Sequence, residues 1–339
     1  MILLSRTVPF TTIEKRGDLF SRSSLFMKRS FFLLCLLPVS LVSVPARAAD
    51  VAVWHGDYPT ALQEAKTEGK DLMIVFTGTD WIDICGKFYQ DILGQPAFME
   101  AVAPHFTLLK LEYPKSGKLP KEEAAQKSFL RAVYQAKGFP TVVLTDVEAR
   151  PFGVNGFQPL PPAEYAAQIL GIAEAHQARR ALASEAGSLV GLERAKKLVE
   201  SIPELPGILT ARFYRREMGD ILAADPENTL GLKETYLRMI ADADYSARLQ
   251  VLTASSKWKE MIQLTDSYIL EGKLEGEVLQ RALMNKATVQ RQLDDAVGYV
   301  STLREVMKIS VETETGATAK EQLENISKGT SPSQAPEKN

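Results

Sequence analysis

Residues 72–88 read LMIVFTGTDWIDICGKF, and this stretch decides the fold of the first half of the chain. Its first five residues form a continuous apolar run of strand length, which is typical of a central strand buried on both faces. A loop follows at residues 77–80, and a helix is predicted over about residues 83–93. A buried strand that passes through a short loop into a helix indicates an α/β domain.

The sequence on either side of this stretch continues the alternation of helix and strand. Upstream, Asp57 before Tyr58-Pro59 predicts the start of a helix, and Gly69 predicts its end. The elements predicted downstream are strands at residues 106–111, 141–144 and 152–157 and a helix at about residues 120–136. This order predicts an α/β sandwich with a mixed sheet and helices on both faces.

From residue 163 onward the strand signal disappears and amphipathic helices follow one another. They are predicted at residues 165–182, 192–202, 211–224, 230–241, 258–270, 277–292 and 295–309, with a short one near Gln322. We therefore predict an all-α C-terminal domain at residues 161–328, and a disordered tail rich in Ser, Pro and Gly at residues 329–339. The helices resemble tetratricopeptide-type hairpins, which usually serve protein contacts. A plain helical bundle fits the same pattern.

The first 48 residues have the pattern of an export signal. Lys28-Arg29 precede an apolar run at residues 31–44 and the sequence Ala-Arg-Ala at residues 46–48. This is typical of a secretory signal peptide that starts at Met27 and is cleaved near Ala48. An uncleaved membrane anchor is the alternative, although the apolar run is short for a membrane span. We therefore predict a periplasmic or secreted protein that is not inserted in a membrane after cleavage.

The charge balance excludes one class of partner. The 339 residues include 40 basic and 42 acidic side chains, and 45% of them are apolar, which is the profile of an ordinary globular protein. Removing residues 1–48 takes away seven basic and two acidic side chains and leaves a net charge of −7. Because nucleic-acid binding needs a basic surface, we expect no nucleic-acid partner.

The cysteine and histidine positions limit the chemistry. Of the two cysteines, Cys35 lies inside the predicted signal peptide, so Cys85 is the one thiol of the mature protein. A mature chain with one cysteine cannot form an internal disulfide. The three histidines lie on different predicted elements, without the spacing of a metal site. We expect neither a metal nor a cofactor.

Two segments together resemble the thioredoxin family. The first is FTGTDWIDICGK at residues 76–87 and the second is Gly-Phe-Pro-Thr at residues 138–141. They are most similar to exported bacterial thioredoxin-like proteins whose loop reads Gly-Ser-Asp-Trp-Cys-x-x-Cys. The resemblance covers about residues 54–160, and we assign residues 49–160 to a thioredoxin-like domain. It implies a cis peptide bond before Pro140.

The departure from the family pattern bears on activity. Family enzymes use one thiol to attack a disulfide and a second thiol to resolve the mixed disulfide. Here Ile82 stands at the attacking position, and only the resolving position remains, as Cys85. The family also has a buried carboxylate in the preceding strand, where this chain has Val75 and Phe76. A dithiol oxidoreductase of the usual kind is therefore not expected.

Two functional hypotheses follow from the resemblance. In the first, a non-catalytic groove binds extended peptides or other envelope proteins; its predicted residues are Trp81, Ile82, Asp83, Phe139, Pro140 and Thr141. Ordinary loop packing is the alternative explanation of these residues. In the second hypothesis Cys85 is the nucleophile of a monothiol exchange reaction. Burial as a small apolar side chain is the alternative for Cys85, because that is the commonest fate of a free cysteine.

Overall fold

The structure is a computed structural model, and it describes residues 53–116 and 119–328. The predicted signal peptide, with Met27, Cys35 and the cleavage site near Ala48, lies outside the described residues, as does the predicted tail at residues 329–339. Among the helices of the described residues, none is long and apolar enough to cross a membrane.

A five-stranded mixed sheet forms the centre of the first half of the chain. Its strands are Trp54–His55 (β1), Asp71–Thr77 (β2), Phe106–Glu112 (β3), Thr141–Thr145 (β4) and Pro151–Gly156 (β5). The spatial order is β1-β3-β2-β4-β5, in which β1, β3 and β2 are parallel and β4 and β5 are antiparallel to their neighbours. The predicted mixed sheet is confirmed, with the apolar run of β2 at its centre.

Helices cover both faces of this sheet. They are Tyr58–Glu68 (α1), Asp83–Phe88 (α2), which continues as a π-helical turn at Tyr89–Leu93, Pro96–Val102 (α3) and Lys121–Val133 (α4). Side chains of β2 alternate between two cores, because neighbouring residues of a strand point to opposite faces. Met73 packs with Phe88 and Phe98, whereas Ile74 packs with residues of α1 and α4. The predicted thioredoxin-like α/β sandwich is confirmed.

The ends of α1 follow the local sequence signals. The Asp57 side chain accepts a hydrogen bond from the backbone N–H of Thr60 at 3.0 Å, as an N-cap does. Gly69 ends the helix in the left-handed region, with φ of 66°. The strand β1 and the helix α3 were not predicted, because β1 has two residues and α3 only seven.

After residue 161, helices are the only regular secondary structure in the described part of the chain. They are Pro162–Ala186 (α5), Gly191–Ser201 (α6), Gly207–Phe213 (α7), Arg215–Ala224 (α8), Lys233–Ala254 (α9), Trp258–Gly272 (α10), Gly276–Gln292 (α11), Ala296–Ile309 (α12) and Glu314–Ser327 (α13). The all-α C-terminal part is confirmed. The single helix predicted at residues 211–224 was wrong, because the chain breaks at Tyr214, whose hydroxyl donates to the carbonyl oxygen of Pro151 at 3.0 Å.

Helix α5 is shared by the sheet and the helical region. Tyr165, Ala166 and Ile169 near its start pack into the core of the sheet, and Ala186 at its end packs into the core formed by α6, α8 and α9. The predicted domain boundary between residues 160 and 161 falls directly before this helix and stays a prediction.

Candidate functional site

The loop between β2 and α2 is a tight turn closed on Gly78. The Gly78 carbonyl oxygen accepts hydrogen bonds from the backbone N–H groups of Trp81 at 3.3 Å and Ile82 at 2.9 Å. A Cβ atom on Gly78 would lie 2.5 Å from Nε1 of the Trp81 indole, so the turn requires glycine here. Ile82 is the N-cap residue of α2, and its carbonyl oxygen accepts from the N–H of Cys85 at 2.9 Å.

The segment that follows β3 holds this loop in place. The Trp81 indole N–H donates to the carbonyl oxygen of Tyr113 at 2.8 Å, and the backbone N–H of Thr79 donates to the Glu112 carboxylate. A carboxylate oxygen of Asp80 accepts from the N–H of Lys115 at 3.2 Å. The parallel pairing of β2 and β3 places both strand ends at one edge of the sheet, which explains these contacts.

Glu112 and Tyr113 are site residues that sequence reasoning missed. The resemblance directed attention to Val75 and Phe76 of β2, whereas the carboxylate that contacts the loop belongs to Glu112 of the neighbouring strand β3. Burial raises the pKa of the Tyr113 phenol above its ordinary value, so this group stays protonated. Its hydroxyl donates to the carbonyl oxygen of Lys127 at 2.7 Å. The strand predicted at residues 106–111 ends directly before both residues, and its place beside β2 in the sheet is the information that would have located them.

The second half of the site is the loop before β4. The peptide bond between Phe139 and Pro140 is cis, as expected. The Phe139 ring packs edge-on against Trp81 at 6.2 Å between ring centroids and lies 4.9 Å from the ring of Tyr113. The Arg131 guanidinium lies 4.8 Å from the Phe139 ring centroid. Thr141 begins β4, pairs with Phe76, and donates its hydroxyl to the Gly138 carbonyl oxygen at 2.7 Å.

The predicted groove residues are brought together in part. Trp81 and Phe139 are in direct contact, and β4 pairing places Thr141 beside the end of β2, just before the loop. Ile82 and Asp83 lie at the start of α2, where Asp83 is exposed. Ile82, Pro140 and the two aromatic residues are half-buried, so each keeps part of its surface in contact with solvent. We call Trp81, Ile82, Phe139 and Pro140 the loop surface.

Cys85 lies within the first turn of α2 and faces the interior. Its exposed fraction is 1%, and among the described residues it forms no disulfide. Phe88, one turn further along α2, is also buried. Among residues 53–116 and 119–328, no three His, Cys, Asp or Glu side chains lie close enough to hold a metal ion.

Comparison with known proteins places the first half of the chain in a family. The solved structure titled "DsbH Oxidoreductase" matches 37% of this chain and 90% of its own, at 26% identity and a TM-score of 0.34. "Thioredoxin-related protein DsbJ" of Chlamydia pneumoniae is 31% identical over 118 residues, about a third of each chain. "Disulfide bond reductase DsbH" of the same organism is 30% identical over 125 residues, which are 37% of this chain and 74% of that protein. The family model described as thioredoxin-like matches residues 53–146. The chain belongs to the thioredoxin-like family.

Proposed function

We propose that this chain is an exported thioredoxin-like protein of the cell envelope that binds extended peptide segments without catalysing thiol exchange. The observation that carries the proposal is the residue at the start of α2. Ile82 occupies the N-cap of that helix, where free backbone N–H groups and the helix dipole would stabilise a thiolate. An isoleucine side chain at this point has no atom that can attack a disulfide.

The thiol that the domain does contain is poorly placed for the same reaction. Exchange needs a thiolate that can reach a sulfur atom of the substrate. Cys85 is 1% exposed, which argues against the competing monothiol reaction. The reductase activity in the name of the Chlamydia pneumoniae relative is therefore not part of what we propose for this chain.

The loop surface supports a binding role. Trp81 packs against Phe139, Ile82 follows Trp81 in the chain, and each of the three side chains keeps part of its apolar surface exposed. Aromatic side chains are frequent anchors in protein interfaces. In thioredoxin-like proteins the backbone of the residue before the cis-proline holds an extended peptide. Phe139 has that position in this chain. Backbone hydrogen bonds would give affinity for any extended segment, and the aromatic rings would select apolar side chains.

The location and the helical region complete the proposal. The predicted signal peptide supports export to the envelope. Consecutive helices from α9 to α13 pack against one another, as antiparallel helical hairpins do. We propose that this tetratricopeptide-like region contacts other envelope proteins.

The catalytic part of the proposal is tested by insulin reduction with the full-length chain and dithiothreitol. We expect insulin to be reduced at the rate that dithiothreitol gives without added protein. Ile82→Cys should allow a disulfide between residues 82 and 85 after treatment with oxidised glutathione, measured as the loss of two free thiols. Ile84→Cys is the matched control, because adjacent cysteines do not reach the usual disulfide geometry. Wild-type activity that Cys85→Ser abolishes would establish the monothiol enzyme instead.

The binding part needs a probe that cannot undergo thiol exchange. Carboxamidomethylated insulin B chain has blocked thiols, and as a single peptide without its disulfides it can adopt an extended conformation on a binding surface. By fluorescence anisotropy we expect it to bind the wild type and Cys85→Ser equally, and to bind Phe139→Ala about tenfold more weakly. Phe129→Ala is the matched control, since Phe129 lies on α4 with 64% of its surface exposed. Equal affinity of the two phenylalanine variants would contradict the proposed surface.

A further inference from the structure

A residue of the helical region contacts the end of α4, the helix that precedes the loop at residues 134–140, which we call the proline loop. Arg212 lies on α7, and Nη1 of its guanidinium donates hydrogen bonds to the carbonyl oxygens of Ala132 at 3.0 Å and Val133 at 2.6 Å. Carbonyl groups of the last turn of a helix have no partner further along the helix. The Ala132 carbonyl oxygen also accepts from the Gln135 side chain at 2.8 Å, so Arg212 shares this end of α4 with Gln135. A cation at this end also interacts favourably with the helix dipole. Arg212 therefore serves as a capping group supplied by a segment 80 residues away in sequence.

The same turn of α4 holds the proline loop. Arg131 donates from Nε to the Ala136 carbonyl oxygen at 2.9 Å and from Nη2 to the Lys137 carbonyl oxygen at 3.2 Å. Its guanidinium also lies over the ring of Phe139. The Arg131 side chain thus connects the last turn of α4 to the backbone at the start of the loop and to the Phe139 ring.

The residue after Arg212 makes a second contact between α7 and the end of α4. Phe213 stacks on Tyr134 with 5.8 Å between centroids and 5° between planes. Tyr134 is buried, and its hydroxyl donates to the Ala149 carbonyl oxygen at 3.0 Å. Gln250 of α9 also reaches the Ala132 carbonyl oxygen, at 3.5 Å. Two helices of the C-terminal region therefore contact the end of α4.

We propose that Arg212 is a positioning residue for the loop surface: by holding the last turn of α4, it keeps Phe139 against Trp81. The inference rests on the proposed binding function where it concerns affinity, and on geometry alone where it concerns Phe139. It makes the helical region part of the binding site without any contact to the peptide. A thioredoxin-like domain separated from its helices would then have a displaced proline loop.

The first test reads the geometry without a ligand. In a Trp54→Phe, Trp258→Phe background of the full-length chain, Trp81 is the single tryptophan, and its quenching by acrylamide reports its exposure. We expect Arg212→Ala to raise this quenching toward the value of Phe139→Ala. Arg212→Lys should restore part of the protection, because an ammonium group can donate to the same carbonyl oxygens. Quenching in Arg212→Ala equal to the parent would overturn the proposal.

The second test reads affinity for carboxamidomethylated insulin B chain. We expect about a tenfold loss in Arg212→Ala and no further loss when Phe139→Ala is added, because both changes remove the same contact. Additive losses would overturn the coupling. Arg215→Ala is the matched control, because Arg215, at the start of α8, forms an exposed ion pair with Asp244 of α9. A wild type that does not bind the probe would refute the proposed function, while the quenching result would still decide the role of Arg212.

Discussion

His176 is a buried histidine on α5 whose removal should change the response of the protein to acid. Its ring stacks on Phe152 at 4.1 Å with 5° between planes, and within the part of the chain that the structure describes neither buried ring nitrogen has a hydrogen-bond partner. The residue is 5% exposed. Burial, reinforced by the charge of Arg180, lowers the pKa of His176 from 6.5 to about 4. The folded protein therefore holds the neutral imidazole where the unfolded chain would bind a proton.

The sign and size of the effect follow from this shift. Above pH 6.5 the imidazole is neutral in both states, so its full contribution to stability is present. As the pH falls from 6.5 to about 4, the unfolded chain takes up the proton first, and stability is lost. A shift of this size corresponds to a loss of at most about 3 kcal/mol.

His176→Phe keeps a ring on Phe152 and removes both the titration and the unpartnered nitrogens. We expect the free energy of unfolding of the variant to equal or exceed that of the wild type at pH 7. The difference should grow by about 3 kcal/mol between pH 7 and pH 4. Urea unfolding of both proteins across this range measures it. Parallel pH profiles of the two proteins would refute the reasoning, because all other titrating groups are common to both.

Two further predictions concern the ends of β2. Burial and the charge of Asp146 raise the pKa of Asp71 to about 6, so the ionisation of Asp71 costs stability as the pH rises through 6. Asp71→Asn should therefore stabilise the protein at pH 8, by about 1 kcal/mol after solvent screening. In urea unfolding the variant should lose this advantage below pH 4. Gly78→Ala places a methyl group 2.5 Å from the Trp81 indole nitrogen; we expect the Trp81 hydrogen bond to break, with weaker probe binding and an unchanged far-ultraviolet circular dichroism spectrum. A destabilised Asp71→Asn at pH 8, or normal probe affinity in Gly78→Ala, would contradict these expectations.

The elements that were predicted correctly are those with local signals. The apolar run of β2 and the capping residues Asp57 and Gly69 act within a few residues, so they can be recognised without tertiary structure. The break between α7 and α8 has a different origin. Tyr214 leaves helical geometry while its hydroxyl bonds to Pro151, 63 residues earlier, and no glycine or proline marks the position.

The site divides in the same way. The contact of Trp81 with Phe139 and the cis bond before Pro140 were accessible through the resemblance, because both belong to motifs of the family. Glu112 accepts its hydrogen bond through the side chain and Tyr113 through the backbone carbonyl oxygen. Both contacts depend on the pairing of β3 with β2, which periodicity does not report. Arg212 could not be found at all, since its partners at Ala132 and Val133 lie about 80 residues away.

The loop surface combines a rigid frame with incomplete burial. A hydrogen bond to the Tyr113 carbonyl oxygen holds Trp81, and the Arg131 guanidinium and the rings of Trp81 and Tyr113 pack against Phe139. Both side chains nevertheless keep part of their surface exposed. Apolar area that stays exposed does not contribute the folding stability that its burial would provide. A surface that is fixed before a ligand arrives loses little side-chain entropy on binding. In a thioredoxin-like enzyme, contacts of this kind would position a peptide beside the attacking thiol. In the proposed binding site they would position the peptide beside Ile82, which adds apolar area where the enzyme has the thiol.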